Sequence, residues 1–431
     1  MSGQGRPAWR RSVAALAACA AILLAAAPGV RAQSAEGGTG RVLSFSVATG
    51  LRATDNPDFR LHPSGSEVRA TADLRLGLRA DTPLSSLTLD ADMLLLARLK
   101  SDEGRGGERA RQGLRLGYGR EGVGAALRLE AFIDESRIDF LRPLTDFLNE
   151  DGEIVLPDDL DDLTGDGWRR QRGFDASLTL GREAPFGVVL GAGLSELDYR
   201  DASNPALRDS RRSHAAARMH FDLNPVTRLD LGLRYSVFSR DDDRRETWSL
   251  NPGLTFARPD GNIRFLLGAT RTEDGTRVSG ELGRLIERPW GSLDARIGAV
   301  RMADGDTALS GGLRLTYGLP RGRLTVGLDR AAGSSADDDE VLRTALAVSY
   351  EQALNDLSSL AVDLGYVRSD NSATGLGTDT ASLGLGYRRS LTPDWSLNLG
   401  YNYRMRDEEG SGRTTENEVS LSLSRSFSFG L

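Results

Sequence analysis

The chain has 431 residues, 27% charged and 39% hydrophobic, with 50 Gly, 15 Pro, one Cys and a formal net charge of −7. No apolar run beyond residue 27 approaches the roughly 20 residues a helical membrane span needs, which excludes a helical membrane protein. The acidic balance excludes nucleic-acid binding, which takes a basic footprint, and the regular placement of apolar residues excludes a disordered chain.

Arg6, Arg10 and Arg11 precede the apolar stretch SVAALAACAAILLAAAP, and Val30-Arg31-Ala32 offers a small-residue cleavage site before Gln33. A basic start, an apolar core and a small-residue exit are the parts of a secretory signal peptide. Residues 1–32 are therefore expected to be removed, with 33–40 a short N-terminal segment and 41–431 the folded part. Leu16-Ala17-Ala18-Cys19 also has the form of a lipoprotein box, but cleavage there leaves AAILLAAA near the head of the mature chain. Arg10-Arg11 matches a twin-arginine signal, for which ordinary positive charge is the simpler account. Removing 1–32 takes four Arg and no acid, so 399 residues remain with a net charge of −11 and no cysteine. Absence of cysteine suits an exported chain in an oxidising compartment.

From residue 41 the pattern has period two, which strands have because neighbouring side chains point to opposite faces. Val68, Ala70, Ala72, Leu74, Leu76 and Leu78 alternate with Arg69, Thr71, Asp73, Arg75, Gly77 and Arg79. Leu87, Leu89, Ala91, Met93 and Leu95 follow with switched parity, and the pattern returns at 229–237, 309–317, 360–366, 383–387 and 397–403. Tight turns rich in Pro, Gly, Asn and Asp are read at 81–84, 119–122, 183–186, 224–227, 258–261, 288–291, 319–322, 353–356 and 391–394. The connections between them are more acidic and more variable: 240–246, 333–340, 370–378, 407–414 and, longest, 136–167. With a first strand at about 41–52 the count reaches twenty; a looser reading of 168–222 gives eighteen. Short turns at one end and longer polar loops at the other predict a single transmembrane antiparallel up-and-down β-barrel, all-β, of the outer-membrane kind. The even count puts both termini at the short-turn end, the periplasmic side of a Gram-negative cell.

Tyrosines supply an independent sign. Tyr118, Tyr317, Tyr350 and Tyr387 precede short turns, and Tyr235, Tyr366, Tyr401 and Tyr403 approach the loops, all on the apolar parity. Aromatics at both rims of an apolar band form the two girdles of a membrane barrel; Tyr199 is ambiguous. At the C-terminus Val419, Leu421, Leu423, Phe427, Phe429 and Leu431 alternate with Ser420, Ser422, Ser424, Ser426, Ser428 and Gly430. Such a last strand resembles the signal read by the barrel-assembly machinery, with Leu431 in place of the usual terminal aromatic.

Thr54-Asp55-Asn56-Pro57 after a first strand, followed by a run of alternating hairpins, resembles the putative beta-barrel porin type 2 family. The resemblance implies a porin-like outer-membrane barrel, in a family partly associated with exopolysaccharide or surface-attachment systems. It implies no catalytic residue.

In hydrocarbon every backbone polar group must be paired within the protein, so the outward face is apolar and charge is confined to the lumen. Arg75, Arg79, Asp90, Asp92, Arg111, Arg115, Asp230, Arg234, Arg264, Arg314, Asp363 and Arg404 fall on the non-lipid parity and are expected to line the lumen. So does Asp73. Twenty strands enclose more space than side chains fill. The expectation is a water-filled or loop-gated channel for small polar or sugar-like solutes, surrounded by outer-membrane lipid and lipopolysaccharide. Against it stands a barrel plugged by 136–167, its two signs paired across the wall. The alternative function is a non-enzymatic structural or export component of an exopolysaccharide or surface-attachment system.

An enzyme is not expected. The sequence has no nucleophile elbow, no HExxH and no P-loop, and His214 and His220, six residues apart on one strand, stand about 20 Å from each other. His62 lies in an early loop. No cofactor and no metal are expected. Asp158, Asp159, Asp161, Asp162 and Asp166 look like a calcium loop but lack the EF-hand order of ligands, so a solvated acidic loop is the simpler reading, with loose divalent binding the other. Glycine-rich pieces such as 191–193 and 384–386 serve lumen spacing, because no helix follows to cradle a phosphate.

Overall fold

A sheet of strands that are apolar on one face removes its unpaired edges by closing on itself. The computed structural model describes residues 40–63, 65–100, 107–138, 163, 165–241, 243–273, 275–334, 340–371 and 375–431. It is a closed 20-stranded antiparallel β-barrel, with no helix among the described residues.

The first strands are β1 (Gly40–Thr54), β2 (Glu67–Asp81), β3 (Ser85–Lys100), β4 (Gly107–Glu121) and β5 (Ala125–Arg137). Next come β6 (Trp168–Leu180), β7 (Phe186–Arg200), β8 (Ser210–Asn224), β9 (Thr227–Arg240) and β10 (Asp243–Arg258). The second half begins with β11 (Gly261–Arg271), β12 (Thr276–Arg288), β13 (Gly291–Arg301), β14 (Thr307–Leu319) and β15 (Gly322–Ser334). It ends with β16 (Glu340–Asn355), β17 (Ser358–Asn371), β18 (Gly377–Ser390), β19 (Trp395–Glu408) and β20 (Gly412–Gly430). Each strand pairs antiparallel with its successor, and β1 pairs with β20 from Val42–Gly430 to Thr54–Glu418. The count of twenty agrees with the reading from periodicity, and the stretch 168–222 resolves into three strands. Residues 1–39, where the signal peptide and the lipoprotein box were read, lie outside the described residues.

Several boundaries differ from those read in the sequence. The turn expected at 119–122 spans 122–124, because β4 continues through Glu121; the one at 353–356 moves to 356–357, past a register shift between Ala353 and Asn355. The connection expected at 240–246 is only two residues long, because Arg244, Arg245 and Glu246 pair with β9. That at 407–414 shrinks to 409–411. Charge misled the reading there: a run of charged residues is tolerated in a strand end that rises above the apolar band. Long connections are concentrated at β1–β2, β5–β6 and β7–β8. Two turns use glycine for a backbone reason: Gly261 and Gly291 have φ of 131° and 141°, and a side chain at either would run into the neighbouring strand's carbonyl.

The register separates the two faces. Phe265, Leu282 and Ile297 lie side by side across β11, β12 and β13, and Ile297 and Leu309 are 67% and 70% exposed. This apolar face points away from the barrel axis. On the other face side chains reach over intervening strands: Arg264 of β11 pairs with Asp294 of β13, and Arg296 of β13 with Asp329 of β15.

Candidate functional site

The candidate site is the inner wall together with the loop end that covers it. All twelve residues read as lumen-lining fall on the inner parity of the register. Their partners differ. Arg75 pairs with Asp73 at 3.0 Å and Arg79 with Asp81 at 2.6 Å, both along one strand. Arg111 reaches Asp92 at 3.1 Å, and Arg115 reaches Glu130, also at 3.1 Å. Asp90 faces Gly77 and Arg115 across the ladder. Thr255 donates to Asp230 at 3.4 Å and Ser349 to Asp363 at 2.8 Å. Arg404 pairs with Glu416, a residue not singled out in the sequence. Among the described residues no carboxylate is within ion-pair distance of Arg218, Arg234 or Arg314.

Glycines explain how these long side chains lie flat. Gly312 stands between Arg296 and Asp329 in the register, and a Cβ there would fall 2.9 Å from Arg296 Nε and 3.2 Å from Asp329 Oδ2. A Cβ on Gly113 would fall 2.5 Å from Asp92 Oδ1. Gly312 is a saddle over which Arg296 crosses to the next strand but one instead of projecting into the interior, and Gly113 leaves room for Asp92 to meet Arg111 of the same strand. Gly191, Gly193, Gly384 and Gly386, expected from the sequence to serve lumen spacing, stand on the same inner parity.

Two walls differ in chemistry. On β8 and β9 the inner face carries Arg212, Arg218, Arg228, Arg234 and Arg240 against Asp222 and Asp230, with His214 and His220 between them. Roughly opposite in strand order, β19, β20 and β1 present Ser396, Asn398, Ser420, Ser422, Ser424 and Ser46, neutral donors and acceptors. Ser396 and Ser424 hydroxyls lie 3.0 Å apart, and Asn398 donates to Ser422 and Ser424 at 3.4 and 3.3 Å. Part of the inner face is apolar: Leu94, Leu96 and Ala110 form one buried cluster, and Val341, Ala345, Ala347 and Val367 are also buried. Alternation did not reveal these, because LLL at 94–96 reads the same in either register.

At the loop end the Thr54-Asp55-Asn56 motif fastens the first loop to the last hairpin. Asn56 is 1% exposed and donates to the Arg60 and Thr415 carbonyls at 2.8 and 2.9 Å, while Arg60 N–H donates to its Oδ1 at 3.0 Å. Asp55 accepts from the backbone and side-chain N–H of Asn417 at 2.8 and 2.7 Å. Phe59, at a left-handed φ of 47°, lies beneath the Arg404 guanidinium. Arg60 then reaches Asp166, at the foot of β6, at 3.2 Å. Because β1 and β6 are separated by four strands, this ion pair is a chord across the mouth. Beside it Ile138, Leu163 and Leu207 form a buried cluster with Tyr199 and Ala202, so the ambiguous Tyr199 faces inward.

The eight other tyrosines share the outward face. Aromatics that the tyrosine pattern alone missed join them: Trp248 packs on Tyr235 and Trp290 on Tyr317, with centroids 4.4 and 5.5 Å apart. Arginines also stand on this face near the short turns, Arg284 and Arg425 among them. Arg284 extends to Asp260 in the β10–β11 turn, and Arg425 lies over Trp395 and Phe427. Residues that could hold a metal as a group of three or more are absent among the described residues; Asp158, Asp159, Asp161 and Asp162 lie outside them.

No protein-family model matches the chain, and no curated relative matches it. Among solved structures it is similar to the siderophore receptor PirA from Pseudomonas aeruginosa, at 13% identity over 89% of this chain and 80% of that one, TM-score 0.49. It is also similar to a mutant of the ferric enterobactin receptor (PfeA) from Pseudomonas aeruginosa, at 11% identity over 90% and 81%, TM-score 0.48. A third is OccAB4 from Acinetobacter baumannii, at 12% identity over 91% and 99%, TM-score 0.39.

Proposed function

We propose that the protein is a porin-like channel of the outer membrane of a Gram-negative bacterium, with both barrel termini periplasmic. The observation that carries this reading is the wetness of the inner wall. Several inward charged side chains well inside the strands keep half or more of their surface accessible: Arg75 64%, Arg115 59%, Glu130 50%. An interior that side chains do not fill is expected for a strand number between those of open porins and of plugged transporters. Outward exposure of Phe265, Leu282, Ile297 and Leu309 supports a lipid environment, since a row of such residues in water would be a liability.

The solutes are small and polar or sugar-like. Ser and Asn of β19, β20 and β1 offer neutral hydrogen-bonding groups, and the arginines of β8 and β9 draw anionic or hydroxylated solutes to the other side. The Arg60–Asp166 chord supports gating by the first loop. Purified, folded protein in a planar bilayer is expected to give discrete conductance steps. Silence under applied voltage, with insertion verified, overturns the channel and leaves the structural or export component of a surface glycan system as the reading.

A further inference from the structure

Outward-facing charge is not spread evenly around the loop end. On β4–β8, one ladder step above the apolar Leu114, Ile133, Phe174 and Leu194, the outer face turns ionic. Among the described strand residues, Arg109, Arg170, Arg172, Arg200 and Arg211 stand there against three carboxylates, Glu135, Glu196 and Asp198. Arg137, opposite Trp168, shares the face.

The carboxylates organise the guanidiniums. Glu135, its side chain only 6% exposed, accepts from Arg109 at 3.0 Å, Gln112 at 2.6 Å and Arg200 at 2.6 Å. Glu196 accepts from Arg172 at 2.6 Å and faces Arg211 at 3.6 Å. Glu135 and Glu196 are thus each shared between two arginines, and Asp198 lies 3.9 Å from Arg172, so the guanidiniums keep N–H donors for an outside acceptor. Arg170 stands between Glu135 and Asp198 in the register. The Arg109 guanidinium also lies over the Trp168 ring, 5.2 Å from its centroid. The opposite sector has the reverse balance: on β17–β20 the same outward level carries Arg368 and Arg413 against Asp370, Asp379 and Asp407.

We propose that the outward face of β4–β8 is a binding surface for the phosphate groups of a phosphorylated lipid in the leaflet at the loop end. This inference rests on the outer-membrane reading above. Charge complementarity selects the occupant: an excess of fixed, fork-shaped donors matches phosphate oxygens. Continuity with the apolar band selects a lipid over a free anion, because the acyl chains of the same molecule would lie on Leu114, Phe174 and Leu194.

The test uses the full chain folded in detergent, with bis-phosphorylated lipid A, the same lipid dephosphorylated, and inorganic phosphate as probes, followed by native mass spectrometry. Wild type is expected to retain the phosphorylated lipid preferentially. R170Q, which breaks none of the ion pairs above, is expected to weaken that preference about fivefold, and R170Q/R172Q/R211Q about a hundredfold at low salt. R368Q/R413Q serves as the matched control and is expected to leave it unchanged. Equal retention of the two lipids, an unaffected triple variant, or inorganic phosphate binding as tightly as the lipid overturns the proposal. Flotation with liposomes separates the two readings. Protein that inserts but does not discriminate loses this proposal alone, whereas protein that never inserts loses the membrane reading as well.

Discussion

Thr54 Oγ1 donates a hydrogen bond to Glu416 Oε1 at 2.8 Å, joining residues 362 positions apart at the seam where the first strand meets the last. Glu416 also receives Arg404, whose guanidinium covers Phe59. The start of the first loop is therefore part of the closure and not an appendage to it.

The seam predicts a stability cost concentrated at Asn56. Asn56→Ala removes two donated bonds and one accepted bond from a buried site, which is expected to cost about 1–3 kcal/mol. Thr54→Val is expected to cost about half as much, since Arg404 still satisfies Glu416. Urea unfolding in detergent, followed by the shift of the unheated gel band, measures both. An Asn56→Ala midpoint equal to that of wild type would show that the seam is held by the strand ladder alone.

Across the mouth, the Arg60–Asp166 pair joins side chains that are both about half exposed. Exposed pairs contribute roughly 0–1 kcal/mol, so Arg60→Ala is expected to change the rate of channel closing by no more than about fivefold. The direction is toward longer open times. Single-channel records of wild type and variant supply the comparison, and longer closures in the variant would contradict a holding role for the first loop.

Ion preference follows from the β8–β9 wall. Arg218→Glu with Arg234→Glu replaces two inner cations that lack carboxylate partners among the described residues and reverses the local sign. The reversal potential in a salt gradient is expected to move toward cation preference, while Arg368→Glu, on the outward face, leaves it in place.

Face assignment is tested by one substitution made twice. Leu282→Arg puts a cation on the outward apolar band between Phe265 and Ile297, at an expected cost of about 2–4 kcal/mol near the bilayer midplane. Ser422→Arg, on the inner wall beside Asn398 and Gly50, is expected to fold with little loss. Refolding yield into lipid vesicles ranks the two, and equal yields would undo the assignment.

Asp260 supplies an acid-sensitive point. The hydrogen bond from Arg284 holds its carboxyl below the ordinary pKa, and the charges of Arg284 and Arg288 add to the effect. A carboxylate with a lowered folded-state pKa stabilises fully above the ordinary value of about 3.9 and loses that contribution as pH falls through the folded value. Asp260→Asn is therefore expected to flatten the acid limb of the unfolding midpoint against pH while lowering the neutral plateau slightly.

Periodicity separated the two faces and gave the parity of every residue from Arg75 to Arg404 named as lumen-lining, because a two-residue alternation is a local property that each strand states independently; with the turns it narrowed the strand count to twenty or eighteen, and the structure decided for twenty. Run length misled where charge extends into strand ends, as at Arg244–Glu246, since a strand above the apolar band has no reason to alternate by polarity. Tertiary structure decided the rest. Arg296 finds Asp329 only because Gly312 lies between them in the ladder, and Asn56 finds Thr415 only because the sheet closes. The clustering of Arg109, Arg172, Arg200 and Arg211 around Glu135 and Glu196 depends on the stagger of five neighbouring strands. Stagger and closure are set by the whole circumference, so the partner of a given side chain is written in residues far from it along the chain.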